Sequence, residues 1–292
     1  NVFYGRNTTR ALVGEQADVY GRDVMVNAGS SGNILAVAAG ASVSGNVAVA
    51  GSASAVDLEN ETEAGFGYAA DVVAEDDATI KAVDNTSSSV IAGALAAGIG
   101  VTGIAAAVAV NKIKKTTTAH SGQSEIDALD RNNDGTNGLQ IVADSSENLK
   151  TIALGAGAGS YAGIAGSFGV TMLDSDTYAF VDDGARINTD ASYADYSTQD
   201  VIVSANNTVN MLTTADALAV GVEGFGAGID IGIINNDTDA YIGTAGYPMA
   251  ASKVNARRDI KVNATSRRSG ESYAMSAAGG AVGVSSSLSI YK

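Results

Sequence analysis

One short segment carries side chains whose types and spacing suit a metal ion. Residues 130–138 read DRNNDGTNG, with oxygen-bearing side chains at positions one, three and five and glycine at position six. A calcium loop of the EF-hand type needs this alternation, and a backbone carbonyl at position seven. We therefore predict calcium ligands at Asp130, Asn132, Asp134 and Thr136. Position twelve is Ile141 where a bidentate Glu is expected, so binding would be weak or completed by Asp127. A polar turn-forming loop is the alternative.

A second candidate site is a basic segment in an acidic chain, whose formal net charge is −15. Within residues 253–268, two arginine pairs flank one predicted strand: Arg257, Arg258, Arg267 and Arg268. Clustered guanidinium groups attract anions, so we predict weak binding to an anionic glycan or to an acidic neighbouring copy. An ordinary solvated face is the alternative.

Residue types give little support to catalysis. The chain has no Cys and a single His, His120, so a thiol nucleophile and a His-centred triad are not expected. The alternative function is a β-helical polysaccharide lyase or hydrolase, with Asp182, Asp183 or Asp259 and Arg257 as candidates. No spacing singles these residues out, so we expect a non-enzymatic protein.

Composition excludes several classes of protein. The acidic balance disfavours nucleic-acid binding, because phosphates would be repelled. One proline among 292 residues and abundant small aliphatic residues argue against collagen and against disorder.

Residues 90–110 form an uncharged stretch long enough to span a bilayer. A similar stretch carries Asp216, Glu223 and Asp230, which are costly in a membrane, so no membrane span is predicted.

Internal repeats indicate the architecture. The motif Thr-x-Ala recurs with intervals of 53, 55, 60 and 61 residues, its threonines being Thr9, Thr62, Thr117, Thr177 and Thr238. Short strand-like segments ending in Ala, and the Gly/Ala-rich runs after them, recur in the same order. This order predicts one continuous repeat segment of a longer protein, with copies at 1–31, 32–92, 93–153, 154–215 and 216–277 and a partial copy at 278–292.

Within each copy the hydrophobic period is two, which is typical of β-strands. After Gly103 the parity of the larger residues switches, so a turn is expected between two strands there. We predict an all-β, right-handed parallel β-helix of about five repeats of ~60 residues. Coils of roughly 20 residues would give about 14 rungs and a rod of ~70 Å. An antiparallel β-sandwich or prism is the alternative fold.

Three Asn-x-Ser/Thr sequons recur at one repeat position, two residues before the landmark threonine. These asparagines are Asn7, Asn60 and Asn236. Glycosylation is one interpretation. The other is a structural one, in which asparagine side chains stack at a turn of the solenoid.

The segment GIGVTGIAAAVAVNKIKKTTTAHS, residues 98–121, resembles the repeats of large filamentous-haemagglutinin-like and leukotoxin-like adhesins of Gram-negative bacteria. The resemblance extends over nearly the whole chain. It implies a β-helical stalk exported by a type V (autotransporter-like) pathway and displayed at the cell surface. The secretion domain and receptor-binding tip of such adhesins are not recognisable here, so the segment is expected to be shaft.

The expected function is therefore that of a structural or adhesive shaft. The Ala/Gly-rich strands place small residues on the outer face as well as the inner face. Such an apolar face could pack against another shaft, so self-association through these faces is predicted. The expected partners are neighbouring copies, other parts of the same protein, and host or bacterial surface glycans.

Overall fold

The protein consists of parallel β-strands wound into a solenoid. The computed structural model describes residues 1–131, 137–190, 198–243 and 250–292, and no α-helix occurs among them. Sixteen strands form three sheets, and every strand pairing is parallel. The predicted parallel β-helix is thus confirmed, and the alternative of an antiparallel sandwich is not adopted.

The chain visits the three sheets in a fixed order, A, then B, then C. Sheet A contains β1 (Val2–Val13), β4 (Val47–Phe66), β7 (Thr102–His120), β10 (Ala162–Val181), β13 (Glu223–Ile242) and β16 (Val282–Tyr291). Sheet B contains the short strands β2 (Asp18–Gly21), β5 (Asp71–Ala74), β8 (Glu125–Ala128), β11 (Arg186–Ile187) and β14 (Lys253–Val254). Sheet C contains β3 (Val24–Ser44), β6 (Ala78–Gly98), β9 (Asn137–Gly159), β12 (Gln199–Val220) and β15 (Ile260–Gly279).

One sequence repeat forms one coil of the solenoid. The landmark threonines lie directly above one another, since Thr9 pairs with Thr62, Thr62 with Thr117, and Thr117 with Thr177. The expectation of 20-residue coils, 14 rungs and a 70 Å rod is therefore wrong. Six strands in sheet A give a stack only about 24 Å deep, whereas a strand of 20 residues extends about 66 Å across the axis.

The turn expected near Gly103 exists at residues 99–101, between β6 and β7. The two strands do not pair with each other, because β6 pairs with β3 and β9 while β7 pairs with β4 and β10. Sheets A and C instead lie face to face. They are separated at one edge by sheet B and meet at these turns, so the cross-section is a wedge.

At the wide edge of the wedge, a core of aliphatic and aromatic side chains fills the space between the three sheets. Its members include the largest fully buried apolar side chains, among them Phe66, Ile80, Ile126, Ile141 and Ile187. Sheet B holds the long sheets apart at this edge, which gives room for side chains of this size.

Next to this core runs a seam of buried polar side chains, which includes the landmark threonines. Thr62 donates to Asp84 (3.0 Å), and Asn60 donates to Thr86 (3.1 Å) across the interior. Asn60 is buried and lies within β4. The asparagine position is thus a repeated structural one, as one interpretation predicted, but it lies inside a strand instead of at a turn.

At the narrow edge, sheets A and C approach so closely that the residues between them are mostly Gly and Ala. A Cβ atom on Gly103 would lie 2.1 Å from the Ala158 carbonyl oxygen, and one on Gly157 would lie 2.1 Å from that of Ile164. Backbone atoms cannot yield as a flexible side chain can. The high Gly and Ala content of the repeats follows from this contact.

Candidate functional site: the apolar blade

The narrow half of the wedge exposes apolar side chains on both of its outer faces. We call it the blade; it comprises the five arches 36–56, 90–110, 151–171, 213–231 and 272–290. Because the interior holds mostly small residues, the larger apolar residues of each Gly/Ala-rich run point outward. Ala94 and Ala96 are buried, whereas Leu95 between them is 52% exposed. This arrangement inverts the usual rule that the larger apolar residues face the core.

On the sheet C face, the blade carries an axial groove with a volume of about 810 Å³. Small residues of neighbouring strands form its floor, and larger apolar side chains stand beside them. Leu154, Leu218 and Met275 line it and are 44%, 51% and 63% exposed. Asp216 is the only charged residue in its lining.

On the sheet A face, two ridges flank a column of small residues. One ridge is formed by Val49, Ile104, Ile164, Phe225 and Val284, which lie in register on successive strands. The other is formed by Ala53, Val108, Phe168, Ile229 and Leu288. Between them lie Gly51, Ala106, Gly166, Ala227 and Ser286. Both faces therefore have apolar ridges and shallow channels parallel to the solenoid axis.

Charge is almost absent from the blade. Its only charged residues are Asp216, Glu223 and Asp230, although the whole chain has 49 Asp, Glu, Lys and Arg residues (32 acidic and 17 basic). Each face measures about 24 by 30 Å, or roughly 700 Å², which exceeds the largest apolar patch of most soluble monomers. Parallel sheets are normally covered on both faces. In composition, the outer faces of the blade resemble the covered faces of such sheets.

Asp230 is an acidic group buried inside the blade. Burial raises the pKa of Asp230 to about 6, a hydrogen bond from Ser272 opposes this change, and the negative charge of Asp216 adds to it. Its Oδ1 atom has no hydrogen-bond partner among the described residues. An ionised Asp230 is therefore costly, and the protonated form suits the apolar surroundings of the blade.

Of the four predicted calcium ligands, the structure describes only Asp130. Asp130 is fully buried at the end of the segment that follows β8; Thr198 donates to its Oδ2, and its Oδ1 has no partner among the described residues. Asn132, Asp134 and Thr136 lie outside the described residues. Within residues 1–131, 137–190, 198–243 and 250–292, no group of three or more His, Cys, Asp or Glu side chains is placed to hold a metal ion. The calcium site stays a prediction.

The structure separates the members of the predicted basic patch. Arg258 donates to both carboxylate oxygens of Asp200, at 2.8 Å each, and Lys261 also contacts Asp200 at 2.9 Å. These contacts hold the pKa of Asp200 well below its usual range. Arg267 and Arg268 are consecutive in β15 and so point to opposite faces of sheet C. Arg257 lines a separate depression beside Asn255 and Gln199.

Two of the enzyme candidates, Asp182 and Arg257, have different neighbours. Asp182 lies beside His120, whose Nδ1 is 3.3 Å from the Asp182 carboxylate, whereas Arg257 belongs to the depression near Gln199. His120 stacks on Phe180, and Phe180 on Tyr241, along the outer face of sheet A. Burial lowers the pKa of His120, but hydrogen bonds and charges of Asp182 and Glu63 outweigh it, so the net change is upward.

Sequence reasoning missed a buried ionic group, Lys115 between Asp84 and Glu147. A signal was present, because Lys115 lies two residues before the landmark Thr117. That is the position occupied by Asn7 and Asn60 in the preceding copies. Alignment of the repeats therefore places a lysine in an inward-facing column.

Comparison with known proteins adds no relative. No protein-family model matches the chain, and neither a curated protein nor a solved structure matches it at a significant level. Within the described part of the chain, no helix is long and apolar enough to cross a membrane. The relation to filamentous adhesins stays a prediction.

Proposed function

We propose that the chain is a non-enzymatic structural segment of an extracellular adhesive filament on a bacterial surface, and that copies associate laterally through their blades. The observation that carries this proposal is the apolar character of both outer faces of the blade over five successive coils. An apolar surface of this size with so few charges favours a permanent partner over water.

A second copy of the chain is the partner that the geometry favours. The ridges on both faces run along the solenoid axis and repeat with the spacing of the strands, about 4.8 Å. The ridges of one sheet A face can therefore enter the groove of a sheet C face without loss of register. Two such contacts per chain would arrange copies side by side, with the charged wide edges at the outside.

Other features of the proposal rest on the sequence alone. Surface location and glycan partners follow from the resemblance to filamentous adhesins, and a calcium ion at the Asp130 loop follows from its motif. A polysaccharide lyase or hydrolase remains the competing hypothesis. Degradation of a glycan by the purified chain would favour that hypothesis.

Sedimentation velocity of the purified chain tests the association. We expect the wild type to form dimers or larger species as concentration rises. Leu154→Glu adds a second carboxylate to the groove, which already contains Asp216, and should shift the equilibrium to monomers, because unpaired carboxylates are costly in an apolar contact. Asn148→Glu is the matched control; it lies on the same face of β9, outside the blade, and should sediment as the wild type does.

Two results would contradict the proposal. One is a wild type that stays monomeric at all concentrations. The other is Leu154→Glu that associates as the wild type does. Flotation of monomers with phospholipid vesicles would assign the blade to a lipid surface and overturn the proposal of a second copy.

A further inference from the structure

Lys115 is a buried lysine held between two buried carboxylates. It lies in β7 of sheet A, and its side chain crosses the polar seam to sheet C. Its Nζ atom is 2.9 Å from Oδ1 of Asp84 and 2.9 Å from Oε1 of Glu147, and all three side chains are 0% exposed. The carboxylates belong to adjacent strands, β6 and β9, so the lysine joins three strands of two sheets.

The groups around Lys115 leave it little freedom to move. Thr86 and Thr62 donate to the two carboxylate oxygens of Asp84, at 2.9 and 3.0 Å. Ser145 and Ser175 both donate to Oε1 of Glu147, at 2.6 and 3.0 Å. Nζ also lies 3.1 Å from the backbone carbonyl oxygen of Asp84. The amine and the Asp84 carboxyl group are thus held in contact without solvent between them.

In the other lysine ion pairs of the described residues, the lysine side chain is exposed to solvent. Lys112 and Asp57 are 3.1 Å apart, but their side chains are 54% and 45% exposed. In water, hydrolysis competes with condensation, and both charges are solvated. In the seam, the charges of Lys115 and Asp84 have lost their solvation, which is costly even for a well-formed pair. Condensation would remove both of these charges, and the hydroxyl groups of Ser145 and Ser175 would still donate to Glu147.

We propose that Lys115 and Asp84 condense to an intramolecular isopeptide bond, with Glu147 as the proton carrier. Glu147 accepts a proton from the Lys115 ammonium, and the freed Nζ lone pair attacks Cγ of Asp84. A C–N bond forms, and one C–O bond of the carboxylate breaks. The departing oxygen takes up two of the three Nζ protons and leaves as water. Glu147 carries one of these two protons and is a carboxylate again at the end of the reaction. The third proton stays on the amide nitrogen, so no oxidant or cofactor is needed.

The bond would connect sheet A to sheet C through the interior. It closes a loop between residues 84 and 115, which lie on consecutive long strands, β6 and β7. Separation of the two sheets at this coil would then require breaking a covalent bond. This inference does not depend on lateral association, because the reacting groups lie inside a single chain.

Mass spectrometry of the intact, denatured wild-type chain tests the proposal. We expect a mass about 18 Da below that of the sequence, which is the loss of one water. Tandem spectra of a digest should show the peptide containing residue 84 joined to the peptide containing residue 115. Lys115→Met and Glu147→Gln should each lack the joined peptide, whereas Lys112→Met should retain it. Circular dichroism shows whether each variant is folded.

The joined peptide in the wild type is decisive, because water is also lost when a succinimide forms at an Asp–Gly step such as Asp134–Gly135. A folded wild type with the full sequence mass overturns the proposal. So does a mass deficit that the spectra place at Asp134, or a joined peptide that persists in Lys115→Met. These outcomes hold whether or not the variants fold, since the wild-type spectrum alone can exclude the bond.

Discussion

At the scale of single residues, the blade depends on positions where a side chain has no room. Gly103→Ala would force a Cβ against two backbone carbonyl oxygens of sheet C, those of Ala158 and Ala96. We expect a loss of about 2 kcal/mol in the free energy of unfolding, since a packed backbone cannot shift freely. Gly166→Ala, where a Cβ meets nothing within 4 Å, is the control and should change stability little. Urea unfolding of both variants measures the difference, and equal stabilities would contradict the close approach.

Asp230 makes the stability of the blade depend on pH. Its pKa in the folded chain is about 6, above the value near 3.9 of an unfolded Asp, so the folded state binds the proton more tightly. Stability should therefore fall as pH rises from about 4 to 6 and then level off. Asp230→Asn should remove the part of this loss that Asp230 causes and raise stability at pH 7 by about 2 kcal/mol, whereas Asp127, whose pKa burial also raises to about 6, keeps its own contribution.

Thermal unfolding between pH 4 and 7 tests this dependence. Asp237→Asn is the control, because Asp237 lies on the same strand but is exposed. If Asp230→Asn and the wild type lose stability in parallel over this range, Asp230 is not the group responsible.

At the scale of elements, ion pairs join neighbouring coils near the wide edge. The carboxylate of Asp200, at the start of β12, accepts hydrogen bonds from Arg258 and Lys261 of the next coil. Because these bonds lower the pKa of Asp200, their contribution is present above the unfolded pKa and is lost as pH falls through the lower, folded pKa.

Arg258→Met should lower the free energy of unfolding at pH 7, since it leaves a buried carboxylate with one cation fewer. The effect should diminish in strongly acidic solution, where Asp200 takes up a proton. Arg267→Met, at an exposed position of β15, should be nearly neutral. Chemical unfolding at pH 7 and near pH 2 compares them; an effect of Arg258→Met that does not diminish at low pH would exclude this ion pair as its source.

Part of this architecture could be predicted from the sequence. The landmark threonines repeat once per coil, so their order indicated a parallel stack, and Thr62 and Thr117 do pair. The coil length could not be predicted, because a period of two shows that a strand is present but not where it bends. The outward position of Leu95 could not be predicted either. Alternation separates two faces, and only the narrowness of the wedge decides that alanine takes the inner one.

The candidate sites were predictable to different degrees. The blade was anticipated as an apolar outer face, since its strands are rich in Ala and Gly, but the expectation of small residues outside was wrong because larger ones such as Leu95 point outward. The division of the basic patch was not, because sequence does not show which carboxylate lies beside Arg258. The ionic group at Lys115 depends on residues from three strands, and no local pattern joins Lys115 to Glu147.

At the scale of the whole molecule, the chain is a flat wedge with two dissimilar edges. The wide edge carries most of the charge and is suited to water, whereas the blade is apolar on both faces. Lateral association through the blade should therefore produce ordered contacts and not amorphous aggregates, because the charged edges repel one another and stay outside.

Electron microscopy of the purified wild-type chain tests this association most directly. We predict class averages in which wedges about 66 Å long lie side by side with their blades in contact and their wide edges outward. In Leu154→Glu, the same wedges should appear singly. Single wild-type wedges at every concentration, or wedges joined through their wide edges, would contradict the proposal that the blade is the contact between copies.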